Sequence, residues 1–427
     1  MFRVAHTSGH NAARAVALAL STTLLAACGG SDAGANVTVY EGARLVTGSE
    51  IGPIEDAVFV VENDRFTAVG PAGSIEVPSG ATRVDLSGKT VIPAFVNAHI
   101  HLSLDRAERA DQLRHMAYYG AGTVVSMGHD EGVVPFELRD DPPSDGARSL
   151  IAGRGITAPE PGRSEVPYWV TTEEEARSAV REQAEQNVDL IKIWVDDRNG
   201  QYEKLSEPLY SAVIDEAHEQ GLKVAAHIFA LEDAKGLLRA GIDAFAHGIR
   251  DQEVDDELME LWAERPNVVL IPNLPNPGVV VDLSWISTVS ASELLEMETS
   301  QRPRPEAQAA FDIQAHNLSR LNEAGMRIGF GTDGSTPWAV HLELEDMVRT
   351  GMTPAEVIVA ATRNSAQLMD LNDVGVVAPG YVADFVVLDA NPLQDITNTR
   401  SIFDVYLRGA PIDRTSMMSL FRGEPMQ

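Results

Sequence analysis

Cysteine is nearly absent from this chain, which has 427 residues and a single cysteine at position 28. No disulfide can form within the chain, so stability must come from a buried core. Basic residues are also scarce: 33 Lys and Arg stand against 63 Asp and Glu, a formal net charge of -30 at pH 7. This acidic surplus argues against binding nucleic acid or anionic lipid through a broad basic surface, and it is typical of a solvated exterior.

Long apolar runs are absent after residue 27, and no later run approaches the length of a transmembrane helix. Hydrophobic residues make up 44% of the chain and charged residues 22%, which is the usual balance of a globular protein. The remaining length of about 400 residues suffices for one large barrel and a smaller second domain.

Residues 1–27 are expected to be a targeting segment, with Arg3 and Arg14 before an apolar stretch. The stretch ends in Leu-Ala-Ala followed by Cys28, which resembles a bacterial lipobox. We therefore expect export and a lipid anchor at Cys28, on the periplasmic side of the outer membrane in a Gram-negative cell. An ordinary secretory peptide is the alternative. Residues 28–36 are small and polar and are expected to be a flexible tether.

Residues with metal-binding side chains stand at or near the ends of five short apolar runs that are typical of β-strands. They are His99 and His101 in VIPAFVNAHIH, Lys192 in DLIKI, His227 in KVAAH, His247 in IDAFAH and Asp333 in MRIGFGTD. Helical patterns separate most of these runs, and this alternation predicts an α/β fold with a (β/α)8 TIM barrel. The carboxyl ends of the strands of such a barrel meet at one mouth, where these side chains would converge.

Helix boundaries between the runs are marked by local chemistry. Thr172 and Glu175 form a capping-box pattern, and Ser206 can cap the next helix. Gly241 and Gly325 stand where later helices should end.

The order of these six residues resembles the amidohydrolase superfamily, in its two-metal form with a carboxylated lysine. The C-terminal ATRNSAQL and GVVAPGYVADFVVLDANPLQDI resemble the ending of that superfamily. The resemblance implies that both ends of the chain build one small β-sandwich, with the barrel inserted in it. We expect sandwich segments at 37–92 and 371–427, and a barrel at 93–370.

Two divalent ions suit the predicted ligand set, because His99 and His101 point the same way along a strand and can hold one ion together. His227 and His247 would hold the second. Zinc fits these donors, and manganese, iron or cobalt can use the same ones. The resemblance implies that Lys192 becomes N6-carboxylysine and bridges the ions; a salt bridge from Lys192 to Asp196 or Asp197 is the alternative.

The resemblance further implies hydrolysis of an amide bond in a small substrate by a metal-bridging hydroxide. Asp333 would bind metal, take the proton and deliver it to the leaving nitrogen. His129, His341 and Trp338 are candidate substrate contacts near the mouth, and residues 272–306 are a candidate lid or specificity loop.

The substrate is less determined by the sequence. The pattern resembles Xaa-Pro and Xaa-Arg dipeptidases and ochratoxin-type amidases, but Phe229 and Ala246 replace the Tyr and Glu that many of them carry. Arg154 or Arg163 would have to receive a substrate carboxylate.

A lactonase or ester hydrolase could use the same centre. A deaminase is disfavoured by Ala230, where a glutamate is usual, and a non-catalytic binding protein by the complete ligand set. Oligomeric state is left open, homo-oligomers included.

Overall fold

Eighteen β-strands and twelve α-helices occupy the described part of the chain, which comprises residues 37–274 and 277–423 of a computed structural model. The expected targeting segment, tether and lipidation site at Cys28 lie outside the described residues. The strands are β1 (Val37–Leu45), β2 (Ile54–Glu62), β3 (Arg65–Pro71), β4 (Thr82–Asp85), β5 (Thr90–Pro93), β6 (Phe95–Ile100), β7 (Ala121–Ser126), β8 (Arg148–Ile151), β9 (Ile156–Thr157), β10 (Tyr168–Trp169), β11 (Ile191–Trp194), β12 (Val224–His227), β13 (Ala244–Ala246), β14 (Val269–Ile271), β15 (Arg327–Ile328), β16 (Phe385–Leu388), β17 (Ile402–Leu407) and β18 (Ala410–Pro411).

The helices alternate with the strands from β6 to β15 and continue after it. They are α1 (Arg106–Tyr118), α2 (Val134–Asp140), α3 (Glu173–Glu185), α4 (Glu207–Glu219), α5 (Leu231–Ala240), α6 (Asp256–Ala263), α7 (Ala291–Ser300), α8 (Pro305–Glu323), α9 (Ala339–Arg349), α10 (Pro354–Val359), α11 (Ser365–Leu368) and α12 (Arg414–Phe421). A π-helical turn spans Ala360–Asn364 and a 3-10 helix spans Ile396–Arg400. No helix of the described residues combines the length and apolarity needed to cross a bilayer.

Strands from both ends of the chain pair in one mixed sheet, in the order β18-β17-β16-β5-β1-β2-β3, with β4 beside β1. Its core is aromatic: Tyr40 stacks on Phe59 at 4.8 Å, and Phe385 stacks on Tyr406 at 4.4 Å. Tyr40 also meets Phe385 edge-on at 5.2 Å. The N-terminal and C-terminal segments therefore share one apolar interior, although aromatic residues are only 6% of the chain.

The strands between these two segments are parallel, in the sheet orders β6-β7-β8 and β10-β9-β11-β12-β13-β14-β15. Backbone hydrogen bonds also connect these two sheets: Asp189 N, just before β11, donates to Ile151 O at 2.9 Å, and Ala98 N donates to Phe330 O at 2.8 Å. The arrangement is TIM-barrel-like, and the largest apolar core of the molecule includes its strands and helices.

The helix boundaries follow the sequence signals with one exception. Thr172 and Glu175 form a complete capping box at α3, and Gly241 ends α5 in the left-handed conformation, with φ of 104°. Ser206 occupies the N-cap position of α4 but makes no capping hydrogen bond with its side chain. Proline at the second helical position already leaves α4 one N–H fewer to satisfy.

The expected lid at 272–306 is more ordered than its composition suggests, since α7 lies within it. Leu283, Ile286 and Val289 form a small apolar cluster of their own. Thr288 Oγ1 lies 2.7 Å from His115 Nε2, and Ser287 Oγ lies 2.7 Å from Tyr118 Oη. This stretch of the segment is thereby fastened to α1.

Candidate metal centre

Short parallel strands place the six predicted ligands. His99 lies within β6 and His101 directly follows it, Lys192 lies within β11, and His227 ends β12. His247 directly follows β13, and Asp333 stands five residues after β15. The strands end at one face of the parallel sheets, where ligand-type side chains can converge.

Asp333 is the centre of the arrangement. Its Oδ1 lies 3.1 Å from His101 Nε2 and 3.3 Å from His99 Nε2, and its Oδ2 lies 3.4 Å from His247 Nε2. The ligand atoms of His99, His101 and Asp333 lie within 4.8 Å of one another, a spacing that a metal ion can bridge. One carboxylate thus lies among three imidazoles.

Lys192 is fully buried, and its Nζ lies 3.3 Å from His99 Nε2. Among the described residues it has no carboxylate partner, since Asp196 is paired with Arg198 and His227. Burial lowers the pKa of Lys192 to about 7, so a large share of the side chain is the neutral amine at neutral pH. The alternative of a salt bridge to Asp196 is therefore not what the structure contains.

Three imidazoles of the set, those of His99, His227 and His247, are neutral near pH 7, as metal ligands must be. Burial lowers the pKa of His99 and His247 well below the ordinary value, and lowers that of His227 to about 4. The His227 and His247 rings lie 4.4 Å apart between centroids. Both ring nitrogens of His247 are buried without a hydrogen-bond partner among the described residues. Buried polar atoms are seldom left in this state, and a bound cation would satisfy one of them. The donor set therefore fits a metal ion.

Asp333 is ionised in this setting. Burial alone would raise its pKa, but the hydrogen bond with His101 and the neighbouring imidazoles outweigh burial and hold the pKa below the ordinary value. Three residues at the centre also have positive φ, which is rare outside glycine: φ is 48° at Asp333, 97° at His247 and 42° at Asn273. Such conformations cost about 1–3 kcal/mol each for non-glycine residues and concentrate at functional sites.

The C-terminal signature holds the strand that leads to Asp333. Asn364 Nδ2 donates to Ile328 O at 2.8 Å, and Ser365 Oγ accepts from Phe330 N at 2.9 Å. Asp333 N and Thr332 N both donate to His99 O, at 2.9 and 3.1 Å. The ATRNS segment therefore satisfies the backbone around a two-residue strand that could not place Asp333 alone.

Two side chains outside the ligand set contact the rings of His99 and His101. Asn273 Nδ2 lies 2.6 Å from His99 Nδ1, while Asn273 Oδ1 is buried and has no partner among the described residues. Turning the amide over lets its oxygen accept from His99 Nδ1–H, which leaves the Nε2 lone pair for a metal. His129 Nδ1 lies 3.3 Å from His101 Nδ1.

Of the three predicted substrate contacts, the structure brings only His129 to the ligand set. His341 is fully buried, with Nδ1 3.0 Å from Thr399 Oγ1 and its ring packed on Trp285. Trp338 packs against His115 and Tyr119 at about 6 Å between ring centroids. Both are packing residues here, because the turn after Asp333 directs the start of α9 into the interior. Arg154 and Arg163 are also engaged, Arg154 with Val166 O and the Tyr168 ring, Arg163 with Glu160.

Two arginines lie near the centre that the sequence pattern did not indicate. Arg198 donates to Glu160 at 2.9 Å and to Asp196 at 2.8 Å, and its Nη1 lies 3.2 Å from His227 Nε2. Arg250 is bonded to Ile228 O at 2.8 Å. Arg198 Nη2 and Arg250 Nε are buried without partners among the described residues. Arg250 follows His247 by only three residues, which was the one available sequence signal.

A cavity of about 190 Å³ adjoins the centre at Thr332. The expected specificity loop contributes Leu274 and Val281 to its wall, and α9 contributes Glu343. Both Glu343 carboxylate oxygens accept from Leu274 N at 3.0 Å, and burial raises the pKa of Glu343 well above its ordinary value.

Imidazoles around one carboxylate, at the carboxyl ends of parallel strands, form a group that could hold a metal ion. Comparison with known proteins agrees. The model of the amidohydrolase family matches residues 90–411, so the chain belongs to the amidohydrolase family and is an enzyme of that class.

Three relatives illustrate the range of the similarity. The imidazolonepropionase of Streptomyces griseus is 25% identical over 365 residues, which cover 81% of this chain and 89% of that protein. The ochratoxinase of Aspergillus niger is 28% identical over 275 residues, 58% of this chain and 51% of that protein. The crystal structure of a candidate prolidase from Bifidobacterium longum superposes with a TM-score of 0.75 at 28% identity, covering 92% of this chain and 96% of that one.

Proposed function

We propose that the protein hydrolyses an amide bond of a small substrate with the help of two divalent metal ions, zinc being the best fit to the donors. The proposed ligands are His99, His101, Lys192, His227, His247 and Asp333. The observation that carries the proposal is the Asp333 carboxylate, 3.1 to 3.4 Å from three imidazole nitrogens, one of which belongs to His247, whose buried ring nitrogens make no hydrogen bond among the described residues. The proposed architecture is a closed (β/α)8 barrel inserted in a small β-sandwich.

Ions at these ligands would acidify a water molecule and polarise the scissile carbonyl. Asp333 takes the proton of the attacking water on one carboxylate oxygen and delivers it to the leaving nitrogen. The two backbone bonds to His99 O keep that carboxylate in place during the transfer. Asn273 and His129 keep the rings of His99 and His101 oriented.

Lys192 is proposed to carry a carbamate. Its neutral amine attacks the carbon of carbon dioxide and releases one proton, which leaves an N-carboxylate anion. Full burial and the lowered pKa support this step, because an ammonium cannot attack.

The substrate is proposed to bear a carboxylate. Arg198 is held by Glu160 and Asp196, is 11% exposed and keeps one buried N–H group unpartnered, among the described residues, beside His227. Arg250 adds a second guanidinium whose charge acts on His227 and Asp333. An anionic group bound there would satisfy donors that are otherwise costly to bury. This favours N-acyl amino acids and dipeptides over neutral lactones.

The test uses the purified protein loaded with zinc or manganese in carbonate buffer, with Asp333→Asn as control. Dipeptides, N-acyl amino acids, lactones and aminated heterocycles are followed by mass spectrometry. Amine release by the parent and not by the variant supports the proposal. Ring-opened lactones with intact amides would establish the ester hydrolase instead, and free ammonia the deaminase.

The role of Arg198 is tested with matched substrates, an N-acyl amino acid and its C-terminal carboxamide. The parent should prefer the free acid, and Arg198→Met should abolish that preference by raising KM for the acid. Arg163→Met is the matched control, since Arg163 also pairs with Glu160 but is 47% exposed. Equal preference in parent and Arg198→Met contradicts the assignment.

We also propose that the chain is exported and anchored by lipid at Cys28. Radiolabelled palmitate should enter the parent and not Cys28→Ala, and the variant should leave the membrane fraction. Label in both proteins, or in neither, contradicts the anchor.

A further inference from the structure

His101 has two occupied ring nitrogens, and they face different ways. Its Nε2 lies 3.1 Å from Asp333 Oδ1, on the side of the ligand set. Its Nδ1 lies 3.3 Å from His129 Nδ1, and the two rings meet edge-on at 4.9 Å. An imidazole that offers one nitrogen to a metal carries its proton on the other, and that N–H needs an acceptor. Within the described residues, the only hydrogen-bond partner of His101 Nδ1 is His129.

The turn that carries His129 is held firmly. Asp130, the next residue, accepts from Arg109 at 2.8 Å and from Ser126 Oγ at 2.9 Å, and both members of the Arg109 pair are fully buried. Asp130 N donates to Gly153 O at 3.0 Å. The Trp194 ring packs 5.3 Å from the His129 ring between centroids. A side chain that was merely mobile at the mouth would not need these supports.

We propose that His129 is a positioning residue that accepts the Nδ1–H of His101 and so fixes this ligand in the tautomer that presents Nε2 to a metal ion. The assignment rests on the proposed metal centre and differs from the substrate contact expected from the sequence. The acceptor is an imidazole and not a carboxylate, so it orients His101 without adding negative charge to the centre.

Two substitutions, His129→Asn and His129→Leu, distinguish the possible roles of His129. The Oδ1 of asparagine stands where Nδ1 of histidine stands and can accept the same proton, whereas leucine fills similar space without an acceptor. His218→Leu is the matched control, because His218 pairs with Asp243 at the opposite ends of the strands. Zinc affinity of the full-length protein is measured by competition with a chromophoric chelator, and thermal unfolding of each metal-free variant verifies the fold.

His129→Leu should weaken the affinity for zinc by about 10–100-fold, the usual loss for an outer partner of a ligand histidine. His129→Asn should stay within about threefold of the parent, as should His218→Leu. Parent-like affinity in His129→Leu overturns the proposal, and a raised KM in that variant would mark a substrate contact. Equal losses in Leu and Asn variants overturn it in favour of packing. A parent that binds no zinc overturns the metal centre itself, which distinguishes that failure from the failure of His129 alone.

Discussion

The polar groups at the two ends of the parallel strands differ in whether they have hydrogen-bond partners. At the amino ends, Lys223 Nζ donates to Asp370 at 2.7 Å and to Leu368 O at 2.8 Å. Asp243 accepts from Val224 N at 2.8 Å and lies 2.9 Å from His218. At the carboxyl ends, both ring nitrogens of His247 are buried without a hydrogen bond among the described residues. The polar groups named at the amino ends therefore pair within the protein, whereas the ring nitrogens of His247 at the carboxyl ends are left for the proposed metal ion.

Cavity volume and the proposed metal centre indicate different ends of the strands. A cavity of about 850 Å³ lies at the amino ends, lined by Lys223, Asp243, Arg265 and Arg327 among others. The proposed metal centre lies at the carboxyl ends, and the cavity at the neighbouring Thr332 measures only about 190 Å³. Unsatisfied buried donors and acceptors locate the functional end better than volume does.

The largest expected effect comes from Asp333→Asn at the carboxyl ends. Loss of the proton carrier should lower kcat/KM by about 10²–10⁴-fold. The free energy of unfolding of the metal-free protein should fall, because the native neighbours favour the ionised carboxylate, but the variant should remain folded, because asparagine tolerates the same positive φ. Steady-state kinetics and urea unfolding measure the two quantities. A variant that unfolds as it loses activity would show that Asp333 serves the fold.

Removal of metal ions is the next largest effect. A site filled at 100 times its dissociation constant adds about 2.7 kcal/mol of stability, which a chelator should remove. Asp333→Asn should respond less than the parent, because it lacks a ligand. Calorimetry with and without chelator gives the difference. A parent whose unfolding temperature ignores the chelator would contradict the view that the carboxyl ends need a ligand.

Asp243→Ala tests the amino ends. Val224 N would be left buried without its acceptor, at a cost of about 1–3 kcal/mol in the free energy of unfolding. The same variant should keep kcat/KM within about twofold of the parent, since it lies away from the centre. Urea unfolding and the amide assay are sufficient. A large loss of activity in a folded variant would erase the contrast between the two ends.

Acid is expected to lower the free energy of unfolding by way of buried histidines. His115, which contacts Thr288 of the expected lid, is a buried histidine outside the ligand set. Burial lowers the pKa of His115 to about 4. The unfolded chain binds a proton near pH 6.5 that the folded chain refuses, so stability falls as pH drops from about 6.5 to 4. His115→Gln should reduce this slope while keeping a donor for Thr288. Urea midpoints at pH 7 and pH 5, with metal removed, measure it; equal slopes in the two proteins would show that His115 does not cause the loss.

The sequence predicted the strand-end residues because a single rule links them: the carboxyl ends of parallel strands meet. His99, His227 and Asp333 needed only that rule. Arg198 could not be found in this way, because a turn with positive φ at 198, 199 and 200 returns its side chain to His227. Asn273 lies in an irregular segment, where no periodicity indicates direction.

His341 shows the opposite error. Its distance along the chain from Asp333 suggested the mouth, but α9 begins at Ala339 and turns the ring into the interior beside Trp285. Burial of an imidazole depends on which helix face meets the core, and that is a tertiary property. Thr172 and Ser206 make the same point for caps, since only Thr172 makes the bond that its sequence pattern predicts.

The aromatic cluster of the mixed sheet has a consequence for synthesis. Tyr40 and Phe59 pack against Phe385 and Tyr406, which are synthesised more than 300 residues later. At about 5–20 residues per second, that interval is roughly 20–70 s. During this time the apolar face of the N-terminal strands lacks the Phe385 and Tyr406 side chains that pack on it in the folded protein. The C-terminal strands β16 and β17 therefore complete the sheet that the N-terminal strands begin.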